Sequence, residues 1–524
     1  MMKLIAQYKR TFLLLAFATA VTTGSCGGEN YWSELKGGSS SGTLPPSFPV
    51  GMYVSTTGSD VTGDGSPDNP YATIQNGTTQ AASNGLHAVF VEAGTYSIPA
   101  EITLIEGISL YGGFRPGDWN DRSVTPAARD TGSPYCTEII YTAAPAIRGT
   151  GPISSATVVE GFVIFGPTAF SNENNSNPRI SNNTIVGTDI GTSYGIHNLN
   201  SSPNIQFNII IGASFIAVNA YGIYNSTGAT PTITANTIYG SLVTSSDTAN
   251  GVCNTNASTD PIIAGNTIYG GPAANTSRGI YNTNGAEPVI IGNRIASDSA
   301  TASYAIHNED CINVVLNGND IFPGNGSASS VGVYCSNSPI WILNNAVRAG
   351  GGATTDYSFG IRLAANSDAS IFNNTIDGGT ADTGSYGIRI FNAAPLIRNN
   401  IIFISGSAPQ RVGIVEGNPS NSDPVFFTNN NIFDCPILYH DDDPAGIVDD
   451  IVDWNQLNDP LNTTQGGPAQ FNISVPLTLD ADFRILAPPL VVWEGGADLT
   501  GFLDDDKDEN PRTVPWSIGA YEYD

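Results

Sequence analysis

The sequence predicts an all-β solenoid of stacked parallel strands, on three observations. Residues 194–435 repeat one unit: aromatic-Gly-Ile-x-Asn, a polar turn, Pro-x-Ile and Asn-x-Ile. The Gly landmark recurs at Gly195, Gly222, Gly251, Gly279, Ala305, Gly332, Gly360, Gly387 and Gly413, 26 to 29 residues apart. An Asn landmark keeps step with it at Asn183, Asn208, Asn236, Asn266, Asn293, Asn319, Asn345, Asn374, Asn400 and Asn431, and two independent marks in step identify a tandem repeat. The apolar residues come in short alternating runs such as Pro231-Thr232-Ile233 and Asn236-Thr237-Ile238, parted by turn formers. A strand-only unit of this length cannot bury its apolar face alone and stacks on copies of itself. Each coil then rises by about 4.8 Å, and equivalent residues form rows along a rod. A leucine-rich repeat has a similar period but needs Leu where this unit has Ile.

Taken in order, residues 1–25 read as an export signal: Lys3, Lys9 and Arg10 precede an apolar run that ends in small residues before Cys26. The run is too short to span a bilayer permanently. Thr23-Gly24-Ser25-Cys26 looks like a bacterial lipobox, with Thr where Leu is usual, so Cys26 is the expected lipidation site and plain secretion the alternative. Residues 26–50, rich in Gly, Ser and Pro, suit a flexible tether. The expected location is the outer membrane or cell surface, or the medium, with membrane contact only through the lipid.

Residues 51–87 are expected to cap the first coil, because an open solenoid end exposes strand edges and core. Ile74–Ser83 is the expected cap helix. Asp60, Asp64, Asp68 and Asn69 offer close oxygens that could hold calcium, although their spacing departs from calcium loops and a hydrogen-bonded turn is the alternative. The solenoid occupies residues 88–440, with irregular early coils and an insertion, residues 112–134, expected to project as a loop. Asn198, Asn225, Asn254, Asn282 and Asn308, each three past the Gly landmark, predict a buried amide ladder. After Cys435 the repeat stops, and residues 441–524 are expected to form a C-terminal capping or anchor-like module in which residues 504–509 are a solvated acidic loop.

With 19 basic and 47 acidic residues the chain carries −28, and −31 once Lys3, Lys9 and Arg10 leave with the signal. Such a surface repels nucleic acid and anionic lipid. Besides Cys26 there are Cys136, Cys253, Cys311, Cys335 and Cys435, without metal-ligand spacing, so buried thiols and one or two bridges both stay open.

The repeat residues resemble the right-handed parallel β-helix, or pectate-lyase-like, superfamily over most of the chain. Tyr53-Val54-Ser55 and Asn69-Pro70-Tyr71 resemble the opening of secreted β-helix proteins, some grouped under a domain of unknown function. Ala481-Asp482-Phe483-Arg484, Pro511-Arg512 and Ile518-Gly519-Ala520-Tyr521-Glu522 resemble a C-terminal choice-of-anchor module of bacterial β-helix surface proteins. The superfamily carries lyases, hydrolases, epimerases and binding proteins alike, so the resemblance implies the fold and leaves the function open.

Strand alternation assigns two outward rows. Two past the Gly landmark stand His197, Tyr224, Cys253, Tyr281, His307, Tyr334, Arg362, Arg389 and Val415. Three past the Asn landmark stand Val186, Ile211, Tyr239, Tyr269, Ala296, Phe322, Arg348, Asp377, Phe403 and Asp434. Rows of Tyr with Arg and His can stack on sugar rings and pair with uronate or sulfate, or simply stabilise the sheet as cross-strand pairs. Arg348 beside Asp377 reads as an ion pair, whereas Arg362 above Arg389 costs energy unless an anion or acidic neighbour joins them. Not one Lys lies between Lys36 and Lys507, which counts against family lyases with a lysine base, and the Arg-x-Lys that the resemblance would require of a polygalacturonase-like hydrolase is missing. His197 or His307 as base with Tyr224 or Tyr281 as acid is a further option. Two functions follow. One is an exported, lipid-anchored monomeric rod binding acidic or neutral polysaccharide or a matrix partner; the other is a polysaccharide lyase or epimerase centred on Arg362 and Arg389.

Overall fold

The repeat alternates Ile with small polar residues at a period that suits short strands, and strands are what form. The computed structural model describes residues 50–125, 133–352, 354–417, 422–441, 450–451, 469–486, 492, 495–499, 503–512 and 516–522. The expected signal, Cys26 and nearly all of the tether lie outside them. Three sheets run along the rod, and the chain passes through them in turn, one strand per coil. Sheet I holds the Pro-x-Ile strands, for example Thr232–Thr234; sheet II the Asn-x-Ile strands, for example Thr237–Ser241; sheet III the Gly-Ile strands, for example Asn219–Ser226. Coil-to-coil pairing is parallel. The chain is a parallel β-helix, as the period and alternation predict.

Most strands send one large apolar side chain inward, usually Ile or Val. Ile223, Ile233 and Ile238 have no exposed surface, nor do their equivalents Val252, Ile263 and Ile268. These rows meet in one core that runs the length of the solenoid, where β-branched side chains pack well.

A tight corner joins sheets I and II, and its first residue lies in the left-handed region. Asn182, Asn344, Asn373, Asn399 and Asn429 have φ of 52° to 59°, and Gly265, Gly292 and Gly318 take the same place; Asn and Gly tolerate that conformation best. The next residue is the landmark Asn, buried. Asn236 is typical: its Nδ2 donates to the carbonyls of Ile205 and Thr234 (2.9 Å each) and to Asn266 Oδ1 (3.0 Å), and its backbone N–H donates to the same Oδ1 (2.9 Å). The row continues from Asn400 to Asn430, and the landmark assigned to Asn431 is corrected by one residue. In the run Asn429-Asn430-Asn431 the register is decided by Ile432, which stacks inward on Ile402. The second ladder forms as expected and begins earlier, from Asn172 through Asn198, Asn225, Asn254 and Asn282 to Asn308, amide to amide at 2.7–2.9 Å.

The helix α1, Ile74–Ser83, is present and begins at Thr73, whose hydroxyl accepts from Asn76 N. Its Gly77 packs against Val54 and Val89. The Asp60 carboxylate accepts from the amides of Ala72 and Thr73, the Thr73 hydroxyl and the Asn76 amide, a hydrogen-bonded turn.

Three further expectations are corrected. The insertion at 112–134 does not project where it is described. Asp118–Arg122 folds back antiparallel on Ser109–Arg115, Trp119 packs on Tyr53 and Phe114, and Arg122 pairs with Glu160 at 3.1 Å under cover. Solenoid pairing does not end at residue 440: Ala469 and Gln470 pair with Phe427 and Thr428, and Asn472 extends the Asn row beyond Asn430. The sheet III strand Ile437–His440 and Ala469 are too far apart in sequence for the repeat period to show that continuation. Residues 504–509 are solvated only in part: Asp505, Asp508 and Glu509 are exposed, but two of the six are tied down. Asp506 is buried and accepts from the amides of Asp508, Asn510 and Glu522, while Lys507 pairs with Asp320 at 3.1 Å.

The C-terminal segment lies along the flank at the sheet I–II corner. Arg512 reaches Asn344, the backbone of Asp505 meets the Asn344 amide, Ala520 N–H meets Thr375, and Ala497 meets Asn399. Cys253, Cys311, Cys335 and Cys435 are free thiols.

Candidate functional site

Sheet III carries the longest regular strands, and its outer face gathers most of the residues singled out from sequence. His197, Tyr224, Cys253, Tyr281, His307, Tyr334, Arg362, Arg389 and Val415 stack in one register-true row. A second row stands beside it: Tyr194, Tyr221, Asn250, Arg278, Tyr304, Val331, Phe359, Tyr386 and Val412. Strict alternation puts Tyr194 and His197, three residues apart, on opposite faces, and sequence reasoning missed the second row for that reason. The strand bends at the Gly landmark. A Cβ on Gly222 would lie 2.5 Å from the Gly251 carbonyl oxygen, so the bend needs a small residue. Beyond the bend both side chains face outward, and the Tyr194 and His197 rings stack at 5.1 Å. The aromatic residue that precedes Gly in the repeat was the available signal.

The face changes character along the rod. Its first part is aromatic: Tyr194 stacks on Tyr221 at 5.4 Å, and Tyr224 meets Tyr194, Tyr221 and His197 edge-on. Burial lowers His197 and pushes the Tyr224 hydroxyl up to about 12. Cys253 is buried in the row, its thiol also raised to about 12 by burial.

The middle is a polar network. Arg278 lies over Tyr281 at 4.3 Å, donates from Nε to His307 Nδ1 at 3.1 Å and from Nη1 to Asn250 Oδ1 at 3.3 Å. Tyr281 donates to Glu309 at 2.7 Å. Because Nδ1 of His307 accepts, the neutral ring carries its proton on Nε2. Burial, then Arg278 and Arg362, hold His307 well below the usual histidine range. With one nitrogen engaged and the other protonated and buried, His307 is not placed to take a proton from a ligand.

The last part is cationic. Arg362 lies over Tyr334 and Phe359, each at 5.3 Å; Arg389, one coil on, lies over Phe359 at 5.7 Å, with Phe359 stacked on Tyr386. Neither guanidinium has a carboxylate or hydrogen-bond acceptor among the described residues. Several arginines elsewhere are paired with acids: Arg148 between Glu101 and Glu173, Arg122 with Glu160, and Arg512 with Glu522. Two unit charges on adjacent coils repel by on the order of 1 to 3 kcal/mol at protein-surface dielectrics. Burial, then Arg362, lowers Arg389.

Arg348 and Asp377 do not join this face. They are register partners on sheet II but form no ion pair. Arg348 is held between Phe322 (4.8 Å) and Phe483 (4.2 Å) and donates to the Ala481 carbonyl. Asp377 is buried, accepts from the amides of Gly379 and Ser405 (2.9 Å each) and from the Ser405 hydroxyl, and is raised by that burial. The C-terminal segment, invisible to the repeat, thus takes up Arg348. Asp434 falls outside the sheet II row, where Phe433 stands instead. Among the described residues no group of His, Cys, Asp and Glu is placed to hold a metal ion, and no helix is long and apolar enough to cross a membrane.

No family model and no curated protein sequence matches the chain. Solved structures do. The mannuronan C-5 epimerase AlgE6 A-module of Azotobacter vinelandii aligns at 13% identity over 77% of this chain and 95% of its own, with a TM-score of 0.44. Pectate lyase Pel9A aligns at 14% over 90% and 96%, TM-score 0.36. PfbA, a surface adhesin of Streptococcus pneumoniae, aligns at 15% over 67% and 90%, TM-score 0.33.

Proposed function

We propose that this chain is an exported rod that binds acidic polysaccharide along the outer face of sheet III, held at a cell surface by a lipidated Cys26. The carrying observation is the Arg362–Arg389 stack, two neighbouring guanidinium groups wedged among aromatic rings with no acid paired to them among the described residues of a strongly acidic chain. A uronate carboxylate or sulfate ester would relieve their repulsion through paired N–H donors. The Tyr rows upstream offer ring surface for the apolar faces of pyranoses. Binding suits this geometry better than proton transfer, since His307 is closed off by Arg278 and Tyr281 is tied to Glu309.

The test is affinity electrophoresis on gels containing polygalacturonate or alginate. The wild type is expected to be retarded, and Arg362→Ala with Arg389→Ala to run as on a blank gel with unchanged thermal unfolding. Equal retardation of both proteins would reject the reading. Absorbance from unsaturated sugar ends in the same mixtures stays flat for a binder; a steady rise would make the chain a lyase.

A further inference from the structure

Sheet II has its own outward row, and the described residues of the C-terminal segment cover only part of it. From Phe322 onward the row is clothed: Arg348 lies on Phe322, and Phe483 meets Arg348 and Phe403. Upstream, Tyr239 and Tyr269 stand half-buried on adjacent coils, rings 5.0 Å apart and within 12° of parallel. Each ring uses one face on the other. The next residue in the row is Ala296, so its ladder neighbour sets only a methyl group against the free face of Tyr269.

Beside Ala296 stands Arg294, exposed, its guanidinium 4.5 Å from the centre of the Phe322 ring. Its register partner is Asp320, which would normally neutralise it. Asp320 instead pairs with Lys507 of the C-terminal segment at 3.1 Å. Arg294 has no acceptor among the described residues. The C-terminal segment therefore leaves a cation without an acid at its own edge, on the coil after Tyr269, whose next row neighbour is the small Ala296.

We propose that Tyr269 and Arg294 form a second site for anionic sugars, with a pyranose stacked on Tyr269 and its carboxylate or sulfate on Arg294. The combination is specific: a ring platform recognises the C–H face of the sugar, and the forked guanidinium recognises the planar or tetrahedral anion. The site shares no residue with sheet III and stands without it. If both seats are real, one rod engages two polymer strands and bridges them, with avidity set by how near the strands lie.

Calorimetric titration of the full chain with a hexameric oligogalacturonate, and in parallel with a sulfated neutral hexasaccharide, tests this and tells carboxylate from sulfate as the preferred anion. The wild type is expected to take two oligosaccharides per chain, and Tyr269→Ala with Arg294→Gln only one. Arg362→Ala with Arg389→Ala also leaves one, now the sheet II site. A wild type that binds one equivalent, abolished by the sheet III pair of changes and untouched by the sheet II pair, overturns the second site and spares the first. The reverse pattern upholds the second site and removes the first. Arg294→Gln alone leaves the packing of Tyr269 intact and is expected to weaken the second equivalent about 3- to 10-fold; unchanged binding there also overturns the proposal.

Discussion

The interior Asn row and the exterior Arg362–Arg389 row are built by the same device, a polar residue repeated once per coil at the rise of a parallel strand. Their chemistry differs. Each landmark Asn has donor and acceptor, so every amide is completed by the next, and Asn266 alone makes contact with Asn236, Asn293, Ile233 and Ala264. A guanidinium only donates, so stacking a second one beneath it completes nothing and adds repulsion. A row of two-sided groups closes on itself and holds the fold; a row of one-sided groups stays open and waits for something outside the chain.

The largest break in this contrast comes from inside. Asn266→Ala strands the amide and carbonyl groups it serves in a dry core and is expected to cost about 3 to 5 kcal/mol in urea unfolding. Asn308→Ala, at the end of the sheet III ladder where the amide makes only long contacts to the Tyr334 carbonyl at 3.4 Å and Cys335 Sγ at 3.8 Å, should cost only about 1 to 2 kcal/mol. Equal losses would show that the amide rows are not what secures the coils.

On the outer row, Arg362→Ala with Arg389→Ala is expected to lower affinity for an acidic oligosaccharide roughly 10- to 100-fold, by calorimetry, while unfolding free energy moves by about 0.5 kcal/mol or less. Added salt should weaken wild-type binding in the same direction. A smaller change sharpens the point: Arg389→Glu supplies the missing acid to Arg362, so binding falls while stability rises by about 0.2 to 1 kcal/mol. A loss of stability there would mean that the two cations were already balanced.

The smallest effect is one of pH. Burial raises Asp377 above its ordinary 3.8, so the folded chain keeps this proton when the unfolded chain has lost it. Its contribution to stability therefore falls as pH climbs above about 3.8 and levels off once the folded carboxyl has also ionised. Asp377→Asn should flatten that slope in thermal melts from acid to neutral pH; identical slopes would remove Asp377 as the cause.

Much of this was legible in the sequence, because a solenoid turns residue spacing into spatial rows. The column from His197 to Val415 could be read two residues past each landmark, and the buried ladder from Asn198 to Asn308 three past it. The Tyr194–Tyr386 column could not, since a glycine bend breaks the alternation on which the assignment rests. Nor could the fate of Arg348 be read, because Phe483 and Ala481 come from a segment more than a hundred residues away with no period of its own. Asp506 and Lys507 looked like solvated charge for the same reason, their partners being set by tertiary docking.

The most direct measurement is a crystal structure with an oligogalacturonate bound. A carboxylate seated about 2.8 Å from N–H donors of both Arg362 and Arg389 is the expected result. An oligosaccharide bound elsewhere, with those two guanidinium groups facing solvent or an acid of the chain itself, would contradict the open row.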